Sequence, residues 1–450
     1  MDIIDNAGQQ GATYADLRHD IKKMYTLVRE SRKTVNDGVQ IDAGFCLRVL
    51  VDGSWGVGIT TTREKLCTLL PHIMQSARAL KGNDTKIKEA PSETIKSEKK
   101  AKKRFVNEDK LDFLKGLEAS VYDQTDRISS VTAVLTAIER SLYIFTSEER
   151  MIKTSVDKIS LRIVITCKEG NTLGSRTIRW GGLGGMEYLL EREDTIKEDI
   201  IQAAREADIL INAEHAPSAS VDCVLSPALT GMFLHEAFGH AVEADSITSG
   251  RSVLTGKIGE KVAAECVTVK DDPTLPIFGY YLYDHEGVKA QPVIVVKDGV
   301  LHSFLHSRET AALLDATLTG HCKAEFYSNI PIVRQGNTVL NPQDYSFPEL
   351  LDVKEGLFLG DTAGGQASIG EGTFTFGTQY TREIQNGELG KYLKGCSLSG
   401  AVTETMKKID AVGKEVQAIA GVCGKGQMDL QGWLVPHIRI REVMVGGRGG

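Results

Sequence analysis

The segment His235-Glu236-Ala237-Phe238-Gly239-His240 places two imidazoles and a carboxylate within six residues, and Glu243 and Asp245 follow it. Neutral imidazole nitrogens bind zinc, a zinc ion lowers the pKa of its water from ~15.7 towards ~7, and an adjacent carboxylate can take that water's proton. These residue types therefore suit metal-assisted hydrolysis. The usual spacing for that chemistry is His-Glu-x-x-His, and here one more residue intervenes. At 3.6 residues per turn, five positions rotate by about 500°, which leaves the two rings ~140° apart on a regular helix. A shared ion requires a helix wound wide, as in a single-turn π-bulge, or broken between Glu236 and His240. Gly239 predicts a backbone bend at that point. On a regular α-helix both histidines would be ordinary, partly buried residues of an amphipathic segment.

A third ligand would strengthen the metal reading. Cys423 lies in Ala420-Gly421-Val422-Cys423-Gly424-Lys425-Gly426-Gln427, where glycines on both sides allow close backbone approach. A thiolate binds zinc at ~2.3 Å, and two His with one Cys would leave a fourth position open for water. The alternative is a small buried apolar residue, the role to which the other seven cysteines are assigned. Glu243, three residues after His240, could accept an imidazole N–H and fix its tautomer, or could be a surface carboxylate. Gly364, Gly365, Gln366, Ala367 and Ser368 are nearly free of bulk. Such a strand suits sequence-tolerant peptide capture by strand addition, and a glycine-rich loop with bulges is the competing reading.

The elements that must position these groups read as α+β with largely antiparallel sheets in two domains, 1–220 and 221–450. In the first, a helical pattern precedes strand-like residues 45–51, a turn at Asp52-Gly53, a returning strand at 55–62 and a helix at 63–80. Residues 81–110 form a polar, Lys-rich excursion, read as solvated. A helix at 111–126, strands at 130–142, 159–167 and 175–181, and a helix at 194–210 complete this half. The second half opens with a strand at 221–225 and then the metal-site helix, with Ser226 as cap and Pro227 at the first helical position. Hairpins are expected around Asp298-Gly299 and Asn386-Gly387.

Glycine supplies 45 of the 450 residues without any collagen-like period, which implies many tight turns. The net charge of −7 argues against a general role on nucleic acid or membrane surfaces. Eight scattered cysteines without a CxxC pair, an acidic N-terminus and no long apolar run point to a reducing cytoplasm.

The second half resembles the TldD/PmbA family, and within it the TldD-like branch that retains the metal site. The resemblance rests on 235–245, on Asp284-His285-Glu286-Gly287 followed by Asp298-Gly299, on Gly364-Gly365-Gln366 and on Cys423-Gly424-Lys425, all in the family's order. Two small departures are Val422 with the short Gly424-Lys425-Gly426 stretch, and Ala363 where a third glycine is frequent. The resemblance implies a zinc metallopeptidase acting on unfolded or short peptides inside a dimer, formed with itself or with a PmbA/TldE-type subunit. It also implies Zn²⁺ held by His235, His240 and Cys423, with Glu236 as general base. A non-catalytic peptide-binding or scaffold subunit of such a complex is the alternative.

Overall fold

Four segments of 17 to 19 residues, Tyr14–Glu30, Lys33–Val51, Ile128–Thr146 and Met151–Glu169, each form one β-strand in the computed structural model, which describes residues 2–80, 84–103 and 105–447. Strands usually run 5–6 residues, so these are long. They pair antiparallel in a seven-stranded sheet with Ser54–Thr60 at one edge. Thr94–Lys99 and Thr172–Leu183 share the far side of Met151–Glu169.

Alternation decides what each face meets. Leu27, Leu135, Leu161 and Ile163 pack under the helices Asn107–Tyr122 and Glu193–Asn212, while Leu47, Val49 and Val51 pack under Asp2–Gln9 and Lys65–Ala79. The other face is charged, buried and turned towards the second half of the chain, with Asp16, Arg18, Asp20 and Arg48 on it. Arg18 donates to the carbonyls of Tyr327 at 3.1 Å and Asn329 at 2.5 Å. Arg48 is shared between Asp16 at 2.7 Å and Glu286 at 3.4 Å. Tyr14–Glu30 keeps Leu17, Tyr25 and Leu27 on the face under the helices while its charged face is buried, so the helical pattern read before residue 45 is confined to Asp2–Gln9.

The polar excursion at 81–110 needs correction. Thr94–Lys99 is an edge strand paired in parallel with Met151 to Val156, and the helix read as starting at 111 begins at Asn107. Nearby, Arg150 binds Glu93 at 3.1 Å and the Lys88 amide donates to the Arg308 carbonyl at 2.9 Å. An edge position explains the composition, since charged lysines discourage further pairing. Residues 81–83 and 104 of that stretch lie outside the described residues.

The second half has two larger sheets. One has the order Val300–Leu301, Val293–Lys297, Val269–Asp271, Asn337–Leu340, Met428–Val435, Gln417–Gly424. In the other, pairings return on themselves through Ala219–Leu225, Ile438–Gly446, Ser397–Ala401, Thr373–Gln385 and Glu355–Ser368. The largest apolar core lies around the helical run that starts at Pro227, and includes Phe233, Phe238, Phe376 and Trp433. Positive φ at Asp298 (49°), Gly299 (79°), Asn386 (50°) and Gly387 (84°) gives the two expected hairpin turns. The architecture is thus α+β in two domains with largely antiparallel sheets, and the returning strand after the Asp298-Gly299 turn is only Val300–Leu301.

Candidate metal centre

The strand Ala219–Leu225 feeds directly into the helical run. Ser226 accepts from the Leu229 amide at 3.4 Å, Pro227 takes the first helical position, and Pro227–Met232 is α-helical. Phe233–Phe238 is then wound as a π-helix and Gly239–Val242 as a 3-10 helix, after which Glu243 is extended. This is the wide turn that the five-residue spacing requires. It turns the His235 and His240 rings to the same side, with centroids 5.1 Å apart. Gly239 has ordinary helical angles, φ −60° and ψ −42°, so the expected backbone bend is not its role. A Cβ there would sit 1.9 Å from Oε1 of Gln335, and close approach is what requires glycine.

One ligand atom from each of His235, Glu236, His240 and Cys423 falls within 4.8 Å of all the others. Nε2 of His240 is 3.0 Å from Sγ of Cys423 and 3.3 Å from Oε2 of Glu236. Cys423 sits on the strand Gln417–Gly424 rather than on a loop, and pairs with Asp429. Buried Arg334 anchors this hairpin by donating to the carbonyls of Cys423 at 3.0 Å and Gln427 at 2.6 Å.

Both imidazoles have their outer nitrogen committed. The Thr338 hydroxyl donates to Oε1 of Gln335 at 3.0 Å, so it accepts from Nδ1–H of His235 at 3.3 Å. Gln335 also donates from Nε2 to the His235 carbonyl at 3.2 Å. Nδ1–H of His240 donates to Oε2 of Glu243 at 2.9 Å. Each ring therefore presents Nε2 inwards, and that of His235 is buried without a hydrogen-bond partner. An orphaned imidazole lone pair facing a second imidazole, a thiol and a carboxylate suits a zinc ion.

The electrostatics are steep. Burial, reinforced by His240, lowers His235 to about 4. Burial also opposes charge on His240, but Glu243, Cys423 and Glu236 outweigh it and raise this ring well above its ordinary value. Glu236 and Glu243 are each held near about 2: burial works the other way and is overcome, chiefly by His240 for both and by Lys425 for Glu243. Burial raises the Cys423 thiol, and His240 partly offsets it.

Glu243 is fully buried and joins His240 to Lys425, whose Nζ lies 2.8 Å from Glu243 and 2.7 Å from Asp245. Asp245 accepts from the Ser246 amide at 2.9 Å and also holds this lysine. Gly364, Gly365, Gln366 and Ser368 stay apart from the four-residue cluster. They are exposed on the strand Glu355–Ser368, which packs against the π-turn and has Gly364 at a bulge with φ 98°. Lys425, Arg334, Gln335 and Thr338 escape sequence reasoning. Lys425 alone had a signal, next to the Cys423 glycines.

Residues 218–447 match the family described as PmbA/TldA metallopeptidase C-terminal domain. A metalloprotease of Methanothermobacter thermautotrophicus is 37% identical to this chain over 99% of it and 97% of the relative. The chain belongs to the PmbA/TldD family. Another relative, named a zinc metalloprotease TldD homolog, from Saccharolobus solfataricus, is 28% identical over 99% of both chains. The crystal structure of TldE from Thermococcus kodakarensis superposes with a TM-score of 0.80 at 16% identity, covering 99% of each chain, and so shares the PmbA/TldD fold. Among the described residues no helix is long and apolar enough to cross a membrane.

Proposed function

We propose that this chain is a zinc-dependent peptidase of unfolded or short peptides, with His235, His240 and Cys423 as ligands and Glu236 as general base. The observation that carries the reading is the orphaned Nε2 of His235 facing His240, Cys423 and Glu236. Zinc, when bound, would supply Lewis acidity towards the scissile carbonyl and acidify the attacking water. Glu236 is ionised, about three-quarters buried and within 3.3 Å of His240, so it can take that water's proton and pass it to the leaving amine. Thr338 and Glu243 hold the imidazoles in the tautomer that frees Nε2.

The substrate reading rests on the strand edge beside the π-turn. Thr362 to Ser368 pair with Thr373 to Thr378 on one side, while pairing to Ala219–Leu225 on the other side stops at Leu359. Main-chain donors and acceptors of a peptide can add to this exposed edge through Gly364, Gly365, Gln366 and Ser368 without a side-chain preference. We place the protein in the reducing cytoplasm, acting as a dimer with itself or with a PmbA/TldE-type subunit. All eight cysteines are free, in keeping with that compartment.

Glu236→Gln tests the assignment. It should keep stoichiometric zinc and lose at least ~100-fold in peptide cleavage. Wild-type turnover by that variant refutes the base role. Peptide affinity that survives chelation, with no cleavage by the wild-type protein, would instead indicate a binding subunit.

A further inference from the structure

A cavity of about 130 Å³ lies where the charged face of the first sheet meets the hairpin that carries Cys423. Lys22, Arg140 and Lys158 rise from three adjacent strands of that sheet, with Lys22 opposite Arg140 and Arg140 opposite Val156 in the register. Lys323 completes the cationic lining, and Leu142, Tyr281, Val422 and Leu430 supply apolar wall. Val422 is the residue before Cys423.

The charges do not balance. Arg140 is paired with Asp20 at 2.5 Å, and Lys323 with Asp429. Glu325 accepts from the Met428 amide at 2.7 Å and contributes the third carboxylate. Lys22 lies over the Phe326 ring, 4.5 Å from its centroid, and Lys158 is 5.9 Å from that of Phe278. Neither lysine has a carboxylate within salt-bridge distance among the described residues. Lys22 and Lys158 thus bring two ammonium groups without a carboxylate partner to a half-open, partly apolar space. Both lysines are half-buried, and an ammonium partly withdrawn from water gains from an anionic partner.

We propose that this cavity binds a monocarboxylate on an apolar body about the size of one amino-acid side chain, with Lys158 as the anchoring ammonium. The size follows from the volume: a cavity of ~150 Å³ holds benzene. The apolar wall takes the body and the lysine takes the carboxylate. The ligand is either a free small acid or the C-terminal residue of a peptide, since both present the same group. The proposal holds whether or not the chain cleaves peptides.

Burial, aided by Lys323, Arg140 and Lys22 and opposed by Asp429, lowers Lys158 to about 7. Burial keeps His285, which also lines the cavity, neutral by lowering it well below its ordinary value. Binding should therefore weaken as pH rises above about 7, and should take up a proton at pH 8.

Sodium benzoate is the probe, titrated calorimetrically into the full chain at pH 7, with benzamide as the neutral isostere. Saturable benzoate binding is expected, with benzamide at least ~10-fold weaker. Lys158→Met should weaken benzoate by a similar factor and Lys158→Arg should largely retain it. An N-acetylated dipeptide ending in Phe competes with benzoate as the free acid and not as the amide if the natural ligand is a peptide terminus. Failure of the free acid to compete assigns the site to a small acid. No saturation by about 10 mM benzoate, or equal affinity for benzoate and benzamide, overturns the proposal on wild-type protein alone.

Discussion

Replacing Gly239 by alanine tests how the PmbA/TldD metal centre is supported. The added Cβ would lie 1.9 Å from Oε1, 2.4 Å from Cδ and 2.6 Å from Nε2 of Gln335, all inside contact distance, so the amide must move. That amide serves two buried partners, the His235 carbonyl at 3.2 Å and the Thr338 hydroxyl at 3.0 Å. Leaving a buried group without its partner costs about 1–3 kcal/mol, or about 2–6 kcal/mol for two. Because Gly239 is already helical, alanine also returns up to about 1 kcal/mol of helix propensity. The net expectation is a loss of about 1–5 kcal/mol, read as a lower urea midpoint of the metal-free protein, together with weaker zinc retention against a chelator. Gln335→Ala removes the clash, so adding Gly239→Ala to it should cost little, and the double-mutant cycle should show strong coupling. A Gly239→Ala protein that is more stable than wild type and holds zinc equally well would refute the close-approach argument.

Thr338→Val removes the acceptor for Nδ1–H of His235 while keeping the shape, and should lower zinc affinity about 10–100-fold in a competition titration with little change in fold. Arg176 joins Glu206 at 2.7 Å to Asp361 at 2.6 Å across the two halves, with both its own and the Glu206 side chain buried. Arg176→Met should therefore cost about 3–5 kcal/mol in urea unfolding, because it strands a buried carboxylate. Burial lowers His306 and His437 to about 4 in the folded chain, below the ordinary 6.5. The unfolded chain then binds more protons, so stability present above pH ~6.5 falls as pH drops towards 4, by up to roughly 3 kcal/mol per histidine. His306→Gln should flatten that acid slope, measured as urea midpoints between pH 7.5 and 5; an unchanged slope refutes the assignment.

The strands read at 130–142, 159–167 and 175–181 were legible as the inner parts of longer strands because apolar residues recur on the face under the helices, whereas 151–158 were not read as strand. The Asp-Gly and Asn-Gly pairs at 298–299 and 386–387 announced their hairpins by needing positive φ. Tyr14–Glu30 was missed although Leu17, Tyr25 and Leu27 share one face, because the other face carries Asp16, Arg18 and Asp20, charges that only the fold buries. Thr94–Lys99 looked like a solvated run because an edge strand keeps its lysines in water.

The sequence alone determined the residue types of the candidate centre and one geometric demand. His, Glu, His and Cys are the residue types for a zinc site, and five-residue spacing on a 3.6-residue helix lets the two rings share an ion only if the helix widens or breaks; the π-turn widens it. Tertiary structure decided the rest. Gln335 and Thr338 reach His235 from about a hundred residues away, Lys425 meets Glu243 across 182 positions, and Arg334 fixes the Cys423 strand. Contacts between distant residues leave no period in the chain, and only the packed sheets bring those side chains within hydrogen-bond reach.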